Sequence, residues 1–155
     1  MHLKAIFAGL LAGSVFMIIL PLLVMYINNY FGLIIIQSII FLIIGIILIL
    51  IGVSIFIYCT LIFLRLGHGT PAPIDPPRKL VIDGLYSYTR NPIYLGYFSI
   101  LTGWYMIFGH FLLFIYLIII MISIHLYVVR FEEPKLRKRF GKDYEDYFEC
   151  VPRWL

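Results

Sequence analysis

The chain has 155 residues, 63% of them hydrophobic and 13% charged, with a formal net charge of +4. A soluble domain carries about a quarter charged residues, so a mean hydropathy of +1.01 with 17% aromatics excludes that class and points to a single integral membrane domain over 1–155. The positive charge is no signature of nucleic acid, because the basic residues adjoin apolar spans where anionic lipid headgroups are the nearer partner.

The first apolar stretch, 5–27, follows Met1-His2-Leu3-Lys4. It is too long for the apolar region of a signal peptide and has no small-x-small cleavage site, so it reads as a retained transmembrane helix. The second, 33–64, would extend about 48 Å as one helix. That exceeds a hydrocarbon core of about 30 Å, so this helix must tilt, protrude or break. Gly45 and Gly52 within it are either close-packing points against another helix or tolerated small residues.

A polar loop, 65–91, follows, and its proline-rich part, 67–83, can form neither helix nor central strand. It reads as a stiff, extended strap. Gly67-His68-Gly69 is a lone Gly-x-Gly without the strand and helix of a dinucleotide fold. Asn91-Pro92 reads as the N-cap and first position of a third helix, 92–108, since Asn accepts a backbone N–H bond and Pro lacks the donor that would be orphaned.

Phe108-Gly109-His110 offers a turn before a fourth helix, 111–130. Without that turn, Gly96 and Glu132 would be separated by about 54 Å of helix; with it, Glu132 returns to the side of Asn91. Of the twelve Lys and Arg residues, Lys4 precedes helix one, Arg65, Arg78, Lys79 and Arg90 lie in the long loop, Arg130 ends helix four and six follow it. The positive-inside rule then gives an all-α, multi-pass bundle of four transmembrane helices, with both termini and the long loop in the cytoplasm. In the tail, 132–155, Leu136, Phe140, Tyr144 and Tyr147 recur at helical spacing, with an interruption near Gly141. This predicts a C-terminal amphipathic helix along the membrane surface. Cys59 and Cys150 fit no metal or redox spacing, and no metal is expected.

The order Gly-Thr-Pro-x-Pro, Leu80-Val81, Gly84-Leu85-Tyr86-Ser87-Tyr88-Thr89-Arg90-Asn91-Pro92-x-Tyr94-x-Gly96, an apolar hairpin, Glu132-Glu133-x-x-Leu136, Phe140-Gly141-x-x-Tyr144-x-x-Tyr147 and Val151-Pro152-Arg153 resembles the isoprenylcysteine carboxyl methyltransferase family and its phospholipid N-methyltransferase relatives. The resemblance covers about residues 67–153. It implies a membrane enzyme that binds S-adenosyl-L-methionine from the cytoplasm and methylates a lipophilic acceptor, prenyl or acyl, reached through the bilayer. Cofactor contacts carried over by the resemblance are Arg78, Lys79, Leu80, Val81, Tyr86, Asn91, Pro92, Ile93, Tyr94, Gly96 and Glu132. Many members have His where this chain has Asn91, and Asn has no titratable role.

The residue chemistry suits such a cofactor. Glu132 can hold a cationic part, Tyr86 or Tyr94 can lay a ring against the sulfonium or adenine, and the N–H groups opening helix three can receive the carboxylate. Each has a plainer reading: Asn91-Pro92 as a helix cap, Glu132-Glu133 as a solvated turn, the tyrosines as an interfacial belt. Arg130 is the residue expected to draw a carboxylate acceptor, against a reading as a side chain snorkelling to headgroups. Glu133 is the group an amine acceptor would need as base. His110 and His125 are expected to be structural and remote from the pocket. Two other functions compete: a sterol-type membrane reductase, which needs a dinucleotide, and a non-catalytic membrane scaffold.

Overall fold

A computed structural model describes residues 13–67 and 78–155. Most of the proline-rich strap and the start of the predicted 5–27 helix lie outside the described residues. All elements formed by the described residues are helical. A π-helical turn, Val15–Ile19, leads without a break into α1, Leu20–Tyr30, with Pro21 directly after that turn.

The predicted 33–64 helix is not one helix. Residues 34–37 are extended and held against the Phe108-Gly109-His110 turn, through Ile36 N–H to the Gly109 carbonyl at 2.9 Å and Phe111 N–H to the Ile34 carbonyl at 3.1 Å. Gln37 Nε2 donates to the Phe108 carbonyl at 3.1 Å. A run of β-branched isoleucines accepts this conformation readily. Helix α2, Ile39–Ile62, begins only after Ser38, whose hydroxyl accepts the Phe41 N–H at 3.2 Å. Its 24 residues span about 36 Å, and a π-helical turn, Phe63–Gly67, follows. The Ser38→Ala substitution is expected to cost about 1 kcal/mol, the usual worth of such a cap, read as a lower unfolding midpoint in detergent.

Helix α3 covers Pro92–Phe108, as predicted, and α4 covers Phe111–Tyr127. Between them Gly109 adopts φ of 63°, and a Cβ there would strike the Ile36 carbonyl, so glycine is required twice over. At this end of the molecule Asn28 is fully buried; it accepts the Leu112 N–H at 3.0 Å and donates to the Leu33 carbonyl at 3.2 Å. His110 Nε2 lies 3.0 Å from Asn29 Oδ1. His110 therefore ties two turns together, far along α3 from Asn91.

The α2–α3 contact settles the role of the paired glycines. A Cβ on Gly52 would stand 2.5 Å from the Gly96 carbonyl oxygen, and one on Gly103 would stand 2.7 Å from that of Gly45. The two helices run antiparallel with glycines seven residues apart on each, so backbone meets backbone at two levels. Ser99 Oγ adds a bond to the Leu48 carbonyl across the seam at 2.7 Å. Small residues permit this approach, and close packing drives helix association where no water is left to expel.

Two continuous helical stretches, Ile39–Gly67 and Phe111–Phe140, are long and apolar enough to cross a membrane. Only 11% and 17% of their apolar windows are buried in the protein, so they are not core helices of a soluble fold. Beyond α4 a π-helical turn, Val128–Glu132, leads to α5, Glu133–Phe140, and α6, Lys142–Cys150. The interruption expected near Gly141 parts the tail into two helices there, where φ is 56°.

Candidate active site

The 3-10 turn Gly84–Ser87, the start of α3, the junction of α4 with α5, and the C-terminal segment converge at one end of the bundle. Val81 and Tyr86 are buried with Cys59 of α2, and Ile93 packs on them. Phe63 meets the Tyr86 ring edge-on at 5.3 Å. The Tyr86 carbonyl accepts the Tyr147 hydroxyl at 2.6 Å, which fixes α6 to the 3-10 turn. Tyr144 and Tyr147 are both buried, so the apolar face of the tail packs on this end of the protein.

The C-terminal segment closes over the Arg90-Asn91 motif. Arg90 N–H donates to the Pro152 carbonyl at 2.9 Å. The Arg153 carbonyl accepts from Thr89 Oγ1 at 3.1 Å and from Asn91 Nδ2 at 3.0 Å. Asn91 does occupy the N-cap position, but its side chain makes no cap bond: the amide is spent on Arg153. That corrects the helix-cap reading of its side chain: with Thr89 Oγ1, the amide gives the Arg153 carbonyl two donors instead of capping the helix. Trp154 completes the closure, with Nε1 donating to His125 Nδ1 at 3.1 Å and its ring 5.6 Å from that of Phe98. His125 is therefore exposed and beside the site's outer wall rather than turned to an apolar interior.

The two adjacent glutamates sit in opposite electrostatic settings. Glu133 is buried, and its Oε1 accepts from Arg90 Nη1 at 2.9 Å and Arg153 Nε at 2.7 Å; Oε2 accepts from Arg153 Nη2 at 3.0 Å. The Arg90 guanidinium also lies over the Phe148 ring, 3.9 Å from its centroid. Glu132 has a single neutral donor, the Tyr94 hydroxyl at 2.8 Å. No ion pair reaches it among the described residues, and Lys135 acts on it only at longer range. Tyr97 lies beside Tyr94, with centroids 6.5 Å apart, and Tyr127 is within electrostatic reach of the carboxylate. Glu132 is thus a half-buried carboxylate held by one tyrosine hydroxyl, with a second tyrosine ring beside the first.

Of the residues singled out in the sequence, Tyr94 and Glu132 are brought together, and Val81, Tyr86 and Ile93 form an apolar floor with Pro92 buried at the helix start. Leu80 is half-buried next to that floor. Arg78 and Lys79 are exposed, their N–H groups directed to the Gly67 carbonyl. Gly96 stands in the α2–α3 seam against Gly52, a packing position. Arg130 is exposed, and among the described residues no hydrogen bond or ion pair joins it to the other site residues. Arg90 and Arg153, which the residue pattern did not single out, prove to be the partners of Glu133. A useful signal was the buried acid next to a second acid, which demands countercharge.

A family model described as phospholipid methyltransferase matches residues 40–143, about two thirds of the chain. The protein-S-isoprenylcysteine O-methyltransferase of Schizosaccharomyces pombe is 34% identical over 73 residues, which is 47% of this chain. The aligned stretch spans 31% of that relative's length. No solved structure matches the chain. The matched region contains the glycine seam, the motif around Asn91 and both glutamates, so the chain belongs to the phospholipid methyltransferase family.

Proposed function

We propose that this membrane protein is an S-adenosyl-L-methionine-dependent methyltransferase that esterifies a lipophilic carboxylate, in the manner named for its isoprenylcysteine relative. The observation that carries the reading is Glu132, a carboxylate whose hydrogen-bond donor is the Tyr94 hydroxyl and which no ion pair reaches among the described residues. A sulfonium or ammonium supplies the missing charge, and tyrosine faces favour cations. The donor chemistry thus fits the cofactor, which when bound supplies an electrophilic methyl group. Tyr94 orients the Glu132 carboxylate, and the Arg153 closure holds Asn91 and the first turn of α3 beneath it.

The acceptor class follows from what the other acid lacks. An amine acceptor has to lose a proton to a base, but Glu133 is engaged by two guanidiniums and is poorly suited to take one. A carboxylate needs no base at neutral pH. Arg130, exposed two residues before Glu132, is the cation we assign to draw it. An open groove of about 660 Å³ lined by Ile55, Tyr58, Leu85 and Tyr88 adjoins the apolar floor and suits an alkyl chain. Phospholipid N-methylation is the second reading, favoured by the description of the matching family. We assign four membrane spans with the Asn91 end facing the cytoplasm, in keeping with the distribution of Lys and Arg. Catalysis then rests on alignment and exclusion of water.

Equilibrium binding of radiolabelled S-adenosylmethionine to detergent-purified protein tests the cofactor assignment. Wild type is expected to bind, Glu132→Gln to bind at least about tenfold more weakly, and Tyr94→Phe several-fold more weakly, the usual scale for charge-assisted hydrogen bonds. Undiminished binding by Glu132→Gln would overturn the assignment. Base lability of the labelled product separates the acceptors, since esters release methanol and methylamines do not.

A further inference from the structure

We infer that the outer face of α5 is a docking surface for the headgroups of anionic phospholipids, whatever acceptor the enzyme methylates. The helical stretch that begins at Phe111 continues through the π-helical turn to Phe140, 30 residues in all. About 20 residues cross a hydrocarbon core, so its last third emerges from the core while still attached to the spanning part. Along the outward row at four-residue spacing, the side chains change character at that point. Ile115 and Ile119 are exposed and aliphatic, and the exposed Ser123 follows them; Tyr127 and Phe131 are 44% and 65% exposed, their rings stacked 6.0 Å apart. Lys135 and Arg139 continue the row, both exposed, with Lys138 exposed beside them.

Aliphatic, aromatic and cationic side chains in that order match hydrocarbon, interface and headgroup. Helix α5 carries Lys135, Arg137, Lys138 and Arg139 against one acid, Glu133. Glu133 is buried and committed to Arg90 and Arg153, so it does not neutralise the exposed face. Arg137 is turned to the Phe148 ring, 4.3 Å from its centroid, and Arg139 lies 5.6 Å from the Phe140 ring, so Lys135 and Lys138 are the cations this face offers. Lys135 is about 12 Å along the helix from Tyr127, within the layer that headgroups occupy. A soluble acidic protein or nucleic acid would have to enter that layer. A lipid phosphate is already there.

The test is thermal unfolding of the full chain in a neutral detergent with added phosphatidylglycerol or phosphatidylcholine. At low salt, phosphatidylglycerol is expected to raise the midpoint by about 5 °C more than phosphatidylcholine, as for a ligand that binds only the folded state. That difference should vanish near 0.5 M NaCl, where screening is roughly complete within ~4 Å. Lys135→Gln/Lys138→Gln should lose most of it, and Lys135→Arg/Lys138→Arg should keep it. Equal stabilisation by the two lipids in wild type overturns the inference, as does a double Gln variant with the full difference. If the double Gln variant does not fold, the wild-type salt series and the single Lys→Gln variants decide the matter on the same criterion.

Discussion

Glu133→Ala is expected to destabilise the protein by about 3–5 kcal/mol, the usual cost of breaking a buried ion pair from one side. The side chains of Arg90 and Glu133 are 7% and 9% exposed, so removing the acid strands a guanidinium out of water. Arg153 loses its bidentate partner at the same time, and with it the force that aligns its carbonyl with Thr89 and Asn91. The denaturation midpoint in detergent measures the loss. Arg153→Ala should cost less, because Arg153 is 28% exposed and Arg90 still neutralises Glu133. The triple variant Arg90→Met/Glu133→Leu/Arg153→Met should recover part of the stability lost in Glu133→Ala, since no charge is left unpaired. A Glu133→Ala midpoint within about 1 kcal/mol of wild type, inside the range of exposed pairs, would show that this cluster is solvated.

The same cluster explains which parts of the site were legible in the sequence. Helix α3 was readable to the residue, because Asn91-Pro92 opens it and Gly109 closes it with a conformation few other residues adopt. The start of α2 was not readable: five isoleucines surround Gln37-Ser38, and such a run suits a buried strand as well as a helix. The Ser38 cap decides it only once Gln37 and Ile36 have found Phe108 and Gly109, some 70 residues on. Helix lengths and the turn between α3 and α4 return Glu132 to the Asn91 end of α3, but that Tyr94 is the residue that bonds it could not be read from them. Glu133 could not be separated from Glu132 this way, since adjacent residues share a sequence context and differ only in which side of the helix they face. Its partners come from the loop before α3 and from the C-terminal segment, and neither distance is set by a local period.

The glycine seam links that site to the membrane-embedded part of the fold. Gly52→Val is expected to destabilise the protein by about 3 kcal/mol or slightly more, the upper range for overpacking. A Cβ there would lie 2.5 Å from the Gly96 carbonyl oxygen and 2.6 Å from Ile100 Cγ1, and a backbone atom cannot rotate away. The helices must part, and Ser99 then loses the Leu48 carbonyl. Gly52→Ala and Gly96→Ala act at the same level of the seam, so the second substitution should cost less once the first has separated the helices. Their double-mutant cycle should show a coupling of at least about 0.5 kcal/mol, where distant sites would add. Gly96 lies one turn beyond the first turn of α3, which carries Tyr94. A displacement at this level therefore moves the Tyr94 hydroxyl relative to Glu132. Folded Gly52→Ala protein should accordingly bind the labelled cofactor more weakly, whereas Gly45→Ala, at the far level of the seam, should lose stability with less effect on binding. Additive stabilities and equal binding losses at the two levels would mean that the seam holds the helices together without setting the geometry of the site.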